Sequence, residues 1–273
     1  MAALNNNISI LGCGWYGLEL AKELIRQGFT VKGSTTSVEK LISLEKSGIL
    51  PYLVNFHENG ENFDTVFFDC NILVISIPPK RSLAEQHTFI AKIERISAAA
   101  STYSVPQIIF ISSSSVYGDH NAEVTESILP SPDTASGQAI LSAEKVLQSN
   151  TDLVTTIIRF GGLIGPDRDP GRFFAGKKDI ANGKAPVNLI HLTDCIGITT
   201  KIIERQAFGY IYNACSADHP SRELFYTSAA RRSGLEQPLF IDELLKWKIV
   251  KSINIPTQLD YHFEIALNSL VLQ

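Results

Sequence analysis

Along this chain, solid apolar runs alternate with apolar stripes that recur every three or four residues. Ile8–Leu11 is a short apolar run that stops at Gly12, and the stripe Leu18, Leu20, Ala21, Leu24, Ile25 then follows from Trp15 onward. A run of that kind reads as a strand, and a stripe of period 3.6 reads as a helix with one face on a core. Gly28 stands where a helix C-cap is expected. The pattern then predicts a strand at Thr30–Ser34, a helix from about Val38 to Ser47 and a strand at Tyr52–Asn55. Ile72–Ile77 is almost wholly apolar, as suits a strand covered on both faces, and Pro78-Pro79 ends it. A helix at about Leu83–Tyr103, a strand at Gln107–Ser112, a helix near Ser136–Gln148 and a strand at Val154–Phe160 complete the series.

Strands alternating with helices of this length predict an α/β fold of the Rossmann type, a doubly wound parallel sheet with right-handed crossovers. After Phe160 the rhythm breaks at Gly161-Gly162, Gly165-Pro166, Pro170-Gly171 and Gly176. A strand at Val187–Leu192, a helix at about Asp194–Arg205 and a strand at Tyr210–Ala214 follow, and the tail is less regular. The expected division is a dinucleotide-binding core over 1–165 and a small C-terminal substrate lobe over 166–273, with 187–214 returning to the core.

Composition narrows the function classes. Hydrophobic residues are 44% and charged residues 19%, enough for a sizeable core, and the net charge of −4 without a Lys/Arg run argues against nucleic acid as a partner. No apolar stretch approaches the roughly 20 residues that span a bilayer. Met1–Asn7 lacks a basic segment ahead of an apolar one, so no signal peptide is expected and the cytoplasm is the default location. The cysteines Cys13, Cys70, Cys195 and Cys215 lie far apart with no C-x-x-C pair, which suggests reduced, buried thiols and no metal site.

The chemistry begins at Gly12-Cys13-Gly14-Trp15-Tyr16-Gly17, between the first strand and the first helix. In a G-x-G-x-x-G turn the first glycine permits the tight bend and the second lets backbone approach a pyrophosphate. The third lets helix and strand pack closely, while the helix start offers N–H donors. The strand–turn–helix context is what the motif requires. The second strand ends in Ser34, Thr35 and Thr36, with no acid before Glu39 to hold a ribose 2′-OH and with Lys40 nearby. That favours NADP over NAD. Ile77, Pro78 and Pro79 lie at the carboxyl edge where ribose and nicotinamide are expected, and Lys80 and Arg81 read as solvated surface charge.

At Ser112-Ser113-Ser114-Ser115-Val116-Tyr117-Gly118 the chain resembles the extended short-chain dehydrogenase/reductases, the NAD-dependent epimerase/dehydratase group. Arg159–Pro166, Ile190–Asp194 and Tyr210–Asn213 carry the resemblance onward. Pro170–Lys177 and the stretch from Asn213 through His219-Pro220 look closest to its YeeZ-like atypical members. The resemblance implies that Ser113 is the catalytic serine. It also implies a Tyr and, four residues later, a Lys on the next helix, where the Lys tunes the phenol for proton exchange. Aligned on the Pro, Gly and Glu of 132–144, those positions are Ser136 and Ile140. Serine cannot replace a tuned phenol and isoleucine supplies no charge, so the standard dyad is absent.

Tyr117 is the nearest phenol in sequence and a candidate for proton transfer, although the family reading has it packing or lining the sugar site. The His191–Asp194 segment reads as structural. Arg159, Arg168 and Arg172 stand around the turn leaving the sixth strand, where guanidinium forks suit an anionic substrate. Two readings remain open. One is an NADP-dependent oxidoreductase or epimerase acting on a small, anionic or sugar-nucleotide-like substrate. The other is a non-catalytic NADP-binding redox sensor or partner-regulating protein.

Overall fold

The computed structural model describes residues 6–79 and 83–272. The helices are α1 (Trp15–Arg26), α2 (Leu41–Lys46), α3 (Leu83–Thr102), α4 (Ala135–Ser149), α5 (Leu192–Arg205), α6 (Arg222–Arg232) and α7 (Leu267–Leu272). Seven strands form one sheet in the spatial order Ile211–Ala214, Val154–Phe160, Gln107–Ser113, Ile72–Ile75, Asn7–Leu11, Thr30–Thr35 and Leu50–Leu53. This is the doubly wound α/β order: the chain starts mid-sheet, builds outward to one edge, then crosses back and builds the other half. The pairing is parallel, with Ile8 opposite both Val31 and Ile72, and Ile75 opposite Phe110.

The central strands are hydrophobic throughout because both faces are covered. Ile72–Ile75 is buried at every position, and Ile8–Leu11 likewise. One side is filled by Phe67, Phe68, Leu73, Ile75, Phe89, Ile93 and Phe110, with Phe67 and Phe68 packed edge-to-face. Lys32 sits inside this unit at 4% exposure, its ammonium donating to the carbonyls of Val66 and Asp69 at 2.7 and 2.6 Å. A buried ammonium demands such partners.

The chain divides into two compact units. The first holds residues 1–113, 134–158 and 202–211, and the second holds 114–133, 159–201 and 212–273. The expected boundary falls at 165; in this division 114–133 and 187–201 lie in the second unit and 202–211 in the first. In the second unit, parallel strand pairs join Gly162–Ile164 to Leu189–His191 and Ala122–Val124 to Lys248–Val250. Its own core gathers Ile164, Val187, Leu189, Phe225, Tyr226 and Leu267. Among the described residues no helix is long and apolar enough to cross a membrane, and no group of His, Cys, Asp and Glu could hold a metal.

Candidate dinucleotide site and candidate active site

The carboxyl ends of the parallel strands in the first unit carry the site. The first strand ends at Leu11, Gly12 turns the chain at φ +102°, and α1 begins at Trp15. Gly12 permits a backbone that other residues rarely adopt. A Cβ at Gly17 would collide with the carbonyl oxygen of Gly12, so the third glycine is what lets α1 close on the turn. A Cβ at Gly14 would meet nothing within 4 Å. The second glycine therefore faces open space, as a backbone surface meant for a pyrophosphate should. The first bond within the helix runs from the Leu18 N–H to the Gly14 carbonyl at 2.9 Å, so the amides of residues 15–17 form the helix start.

This turn opens onto a cavity of about 620 Å³. Of the residues expected to hold a cofactor, Gly12, Gly14, Ser34, Thr35, Thr36, Ile77 and Pro78 line it. Gly17, Trp15, Tyr16 and Pro79 do not. Tyr16 is 6% exposed, and Trp15 is half-buried. The Ser34 hydroxyl accepts from the Gly12 amide at 2.9 Å, which ties the second strand to the turn and leaves its own proton to donate. Lys80 and Arg81 lie outside the described residues.

The cavity also takes in Asn55, Phe56, His57, Phe89 and Lys92, which sequence reasoning missed. Asn55–His57 directly follows the third strand, so the rule that ligands sit past strand carboxyl ends could have found it. Phe89 and Lys92 come from α3 and carry no local signal. Among the described residues no carboxylate lines the cavity, and the ammonium groups there are those of Lys40 and Lys92. Burial pushes the Cys13 thiol up to about 12, so it lies in the turn as an inert, protonated group.

Ser113 ends the strand Gln107–Ser113. Ile75 is level with Phe110, and from there both chains run on to the carboxyl side of the sheet. Strand alternation separates the two serines. Ser112 is 5% exposed and donates to buried Glu144 on α4 at 2.5 Å, whereas Ser113 is half-buried. The structure thus leaves Ser113, not Ser112, as the serine at the edge. On α4, Thr134 caps the helix by accepting from the Gly137 amide at 3.1 Å. Ser136 is half-buried, and Ile140 is 9% exposed.

Two other expectations change. Tyr117 is 1% exposed within the second unit. Its phenol oxygen receives the Arg159 guanidinium at 2.6 Å and lies 3.0 and 3.1 Å from the acceptors Thr125 O and Asn213 Oδ1. Burial raises its pKa, against the pull of Arg159. This is a structural bolt, not an exposed proton donor, and Arg159 at 2% exposure is spent on it rather than on substrate. Arg168 and Arg172 are exposed, and Arg172 has Asp169 at 3.8 Å. The guanidiniums therefore divide into one buried and two exposed, not one cluster. Asp194 is fully buried and receives the Tyr261 hydroxyl and the amides of Glu264 and Ile265, which makes the His191–Asp194 segment an anchor for the tail.

Comparison with known proteins agrees with this geometry. A family profile described as NAD(P)H-binding matches residues 12–190. The chain is 36% identical to protein YeeZ of Escherichia coli K12 over 263 residues, covering 94% of this chain and 95% of that protein. Its fold matches the UDP-N-acetylglucosamine 4-epimerase from Bacillus cereus with a TM-score of 0.80 at 17% identity, covering 99% of each chain. It also matches the Bacillus cereus UDP-glucuronic acid 4-epimerase solved with NAD, with a TM-score of 0.78 at 20% identity over 97% of this chain and 96% of that one. The chain belongs to the NAD(P)H-binding family, with protein YeeZ as a full-length relative and a Rossmann-like α/β fold shared with the epimerases.

Proposed function

We propose that the protein is an NADP-dependent oxidoreductase or epimerase-like enzyme acting on a small, anionic or sugar-nucleotide-like substrate. The observation that carries this reading is the cavity at the glycine turn, whose described lining offers Thr36, Lys40 and Lys92 and no carboxylate. A 2′-phosphate needs cations and hydroxyl donors, and a carboxylate would repel it. A bound nicotinamide supplies hydride exchange at a carbon bearing a hydroxyl. Ser113 is the group at the same sheet edge that can hydrogen-bond that oxygen. The similarity to epimerases of UDP-sugars supports the substrate class, and the exposed Arg168 and Arg172 are the candidates for its anionic group.

The test is calorimetric titration with NADP(H) and NAD(H), followed by turnover assays with UDP-sugars. NADP(H) should bind more tightly, and Lys40→Ala with Lys92→Ala should weaken it by about tenfold or more with little change for NAD(H). Ser113→Ala should slow turnover about 100-fold, as for loss of one placed hydrogen bond at a reacting oxygen. Equal or tighter NAD(H) binding would defeat the cofactor assignment. The occupation of the dyad positions by Ser136 and Ile140 favours the second reading, a dinucleotide-responsive sensor. Tight NADP binding with no Ser113-dependent turnover would select it.

A further inference from the structure

On α6, Arg222 and Tyr226 stand four residues apart and so share one helix face. That face meets a cluster of aromatic rings within the second unit. Tyr226 packs edge-on against Phe174 with centroids 4.7 Å apart, stacks on Phe240 at 6.4 Å and has Phe173 tilted against it at 6.1 Å. The Arg222 guanidinium lies 5.4 and 5.6 Å from the centres of Phe174 and Phe240, and the Lys177 ammonium 5.5 Å from that of Phe174.

Both polar groups on this face are left incomplete. Arg222 Nη1 donates to the Ala181 carbonyl at 2.7 Å and lies 3.5 Å from that of Asn182, but Nε and Nη2 have no partner among the described residues. The carboxylates of the adjoining 239–243 segment are taken. Asp242 pairs with Lys184 at 2.8 Å, and Glu243 accepts from the Asn182 amide at 3.0 Å. A guanidinium held by two rings and a carbonyl, with its Nε–Nη2 edge free, is preorganised for the two oxygens of a planar carboxylate.

Tyr226 is only 8% exposed, and its hydroxyl makes no hydrogen bond to the described residues. Among those residues the fully enclosed, unpartnered side-chain atoms are Gln107 Oε1 and His219 Nε2, so the Tyr226 hydroxyl reaches solvent and is open to a ligand. Burial raises its pKa against the pull of Arg222, which keeps it a proton donor at neutral pH. Phe173, 39% exposed, offers an apolar ring beside it.

We propose that Arg222 and Tyr226 form a binding site for the carboxylate of a small planar acid, whose body lies against Phe173 while Lys177 adds positive potential. The Arg222 fork takes both carboxylate oxygens, and the Tyr226 hydroxyl donates to one of them.

Benzoate, benzamide and phenyl phosphate make the test, because they share a ring and differ in the head group. Each is titrated to millimolar concentration into the full chain and followed by calorimetry and by NMR of the arginine Nε–H groups. Benzoate should shift the Arg222 signal and bind about tenfold more tightly than benzamide, the ratio expected when charge-assisted hydrogen bonds become neutral ones. Phenyl phosphate should bind no more tightly than benzoate. Tyr226→Phe keeps the ring and should weaken benzoate about fivefold, as for one net hydrogen bond. Arg222→Lys keeps the charge without the fork and should weaken it as well. Equal binding of benzamide, tighter binding of phenyl phosphate, no binding, or benzoate binding that leaves the Arg222 signal in place would overturn the proposal. So would unchanged affinity in Tyr226→Phe. The wild-type titrations decide the matter even if a variant fails to fold, and none of them needs a dinucleotide.

Discussion

Three glycines in one turn do three different jobs, and substitution should separate them. Gly14 has extended backbone at φ −85° and open space where a Cβ would go, so valine fits the fold there but intrudes on the pyrophosphate path. Gly14→Val should leave the melting temperature almost unchanged and weaken dinucleotide binding by about tenfold or more. Gly17→Val drives a side chain into the Gly12 carbonyl, a backbone atom that cannot step aside. It should destabilise the protein by at least about 1–3 kcal/mol, the usual cost of overpacking. Thermal melts and calorimetry of both variants check the contrast, and unimpaired binding by Gly14→Val would mean the turn has been misread. Tyr117 teaches a similar lesson. A phenol four residues from Ser113 suggests chemistry in one dimension, yet in three it is locked to Arg159 and Asn213.

Elements of the second unit were the hardest to read, and α6 shows why. Arg222–Arg232 is dominated by charged and small residues, so its apolar stripe is faint. Its buried positions Phe225, Tyr226, Ala229 and Ala230 do keep helical spacing, and Ser221 caps it by accepting from the Leu224 amide at 3.3 Å. Just before this helix, His219 couples the unit to pH. Its Nδ1–H donates to the Val187 carbonyl at 2.9 Å, while Nε2 is buried without a partner. Burial holds its pKa below the ordinary 6.5, and that of His191 as well. Well above pH 6.5 both rings are neutral in the folded and the unfolded chain, so they add no pH dependence there. As pH falls through 6.5 the unfolded chain takes up protons that the folded chain resists, and stability declines. The melting temperature should therefore drop between pH 7 and pH 5.5, and less steeply in His219→Asn. A flat profile in the wild type would refute this.

At the scale of the whole molecule, the carboxyl edge of one parallel sheet carries the candidate dinucleotide site. A ligand that binds only the folded state adds stability by mass action, about 2.7 kcal/mol at a hundredfold excess over Kd. For a chain of this size that corresponds to a rise of roughly 5–10 °C in melting temperature. Calorimetry with NADP should show it, and no shift at that excess would contradict binding at a folded site.

The sequence by itself determined the alternation of strands and helices, the parallel sheet and the place of the glycine turn. Each of these is written in a local period or a fixed spacing, and strands buried on both faces cannot hide their apolar runs. Only the tertiary structure separated Ser112, buried against Glu144, from half-buried Ser113, because a shift of one position along a strand reverses the face. It also brought Asn55, His57 and Lys92 into the cavity, and it buried Arg159 while exposing Arg168 and Arg172. Those outcomes depend on partners far away in sequence: Lys92 is 78 positions past Gly14, and Arg159 is 42 positions past the tyrosine that holds it. No local pattern encodes such a pairing, since the physical cause is burial against a neighbour the chain meets only on folding.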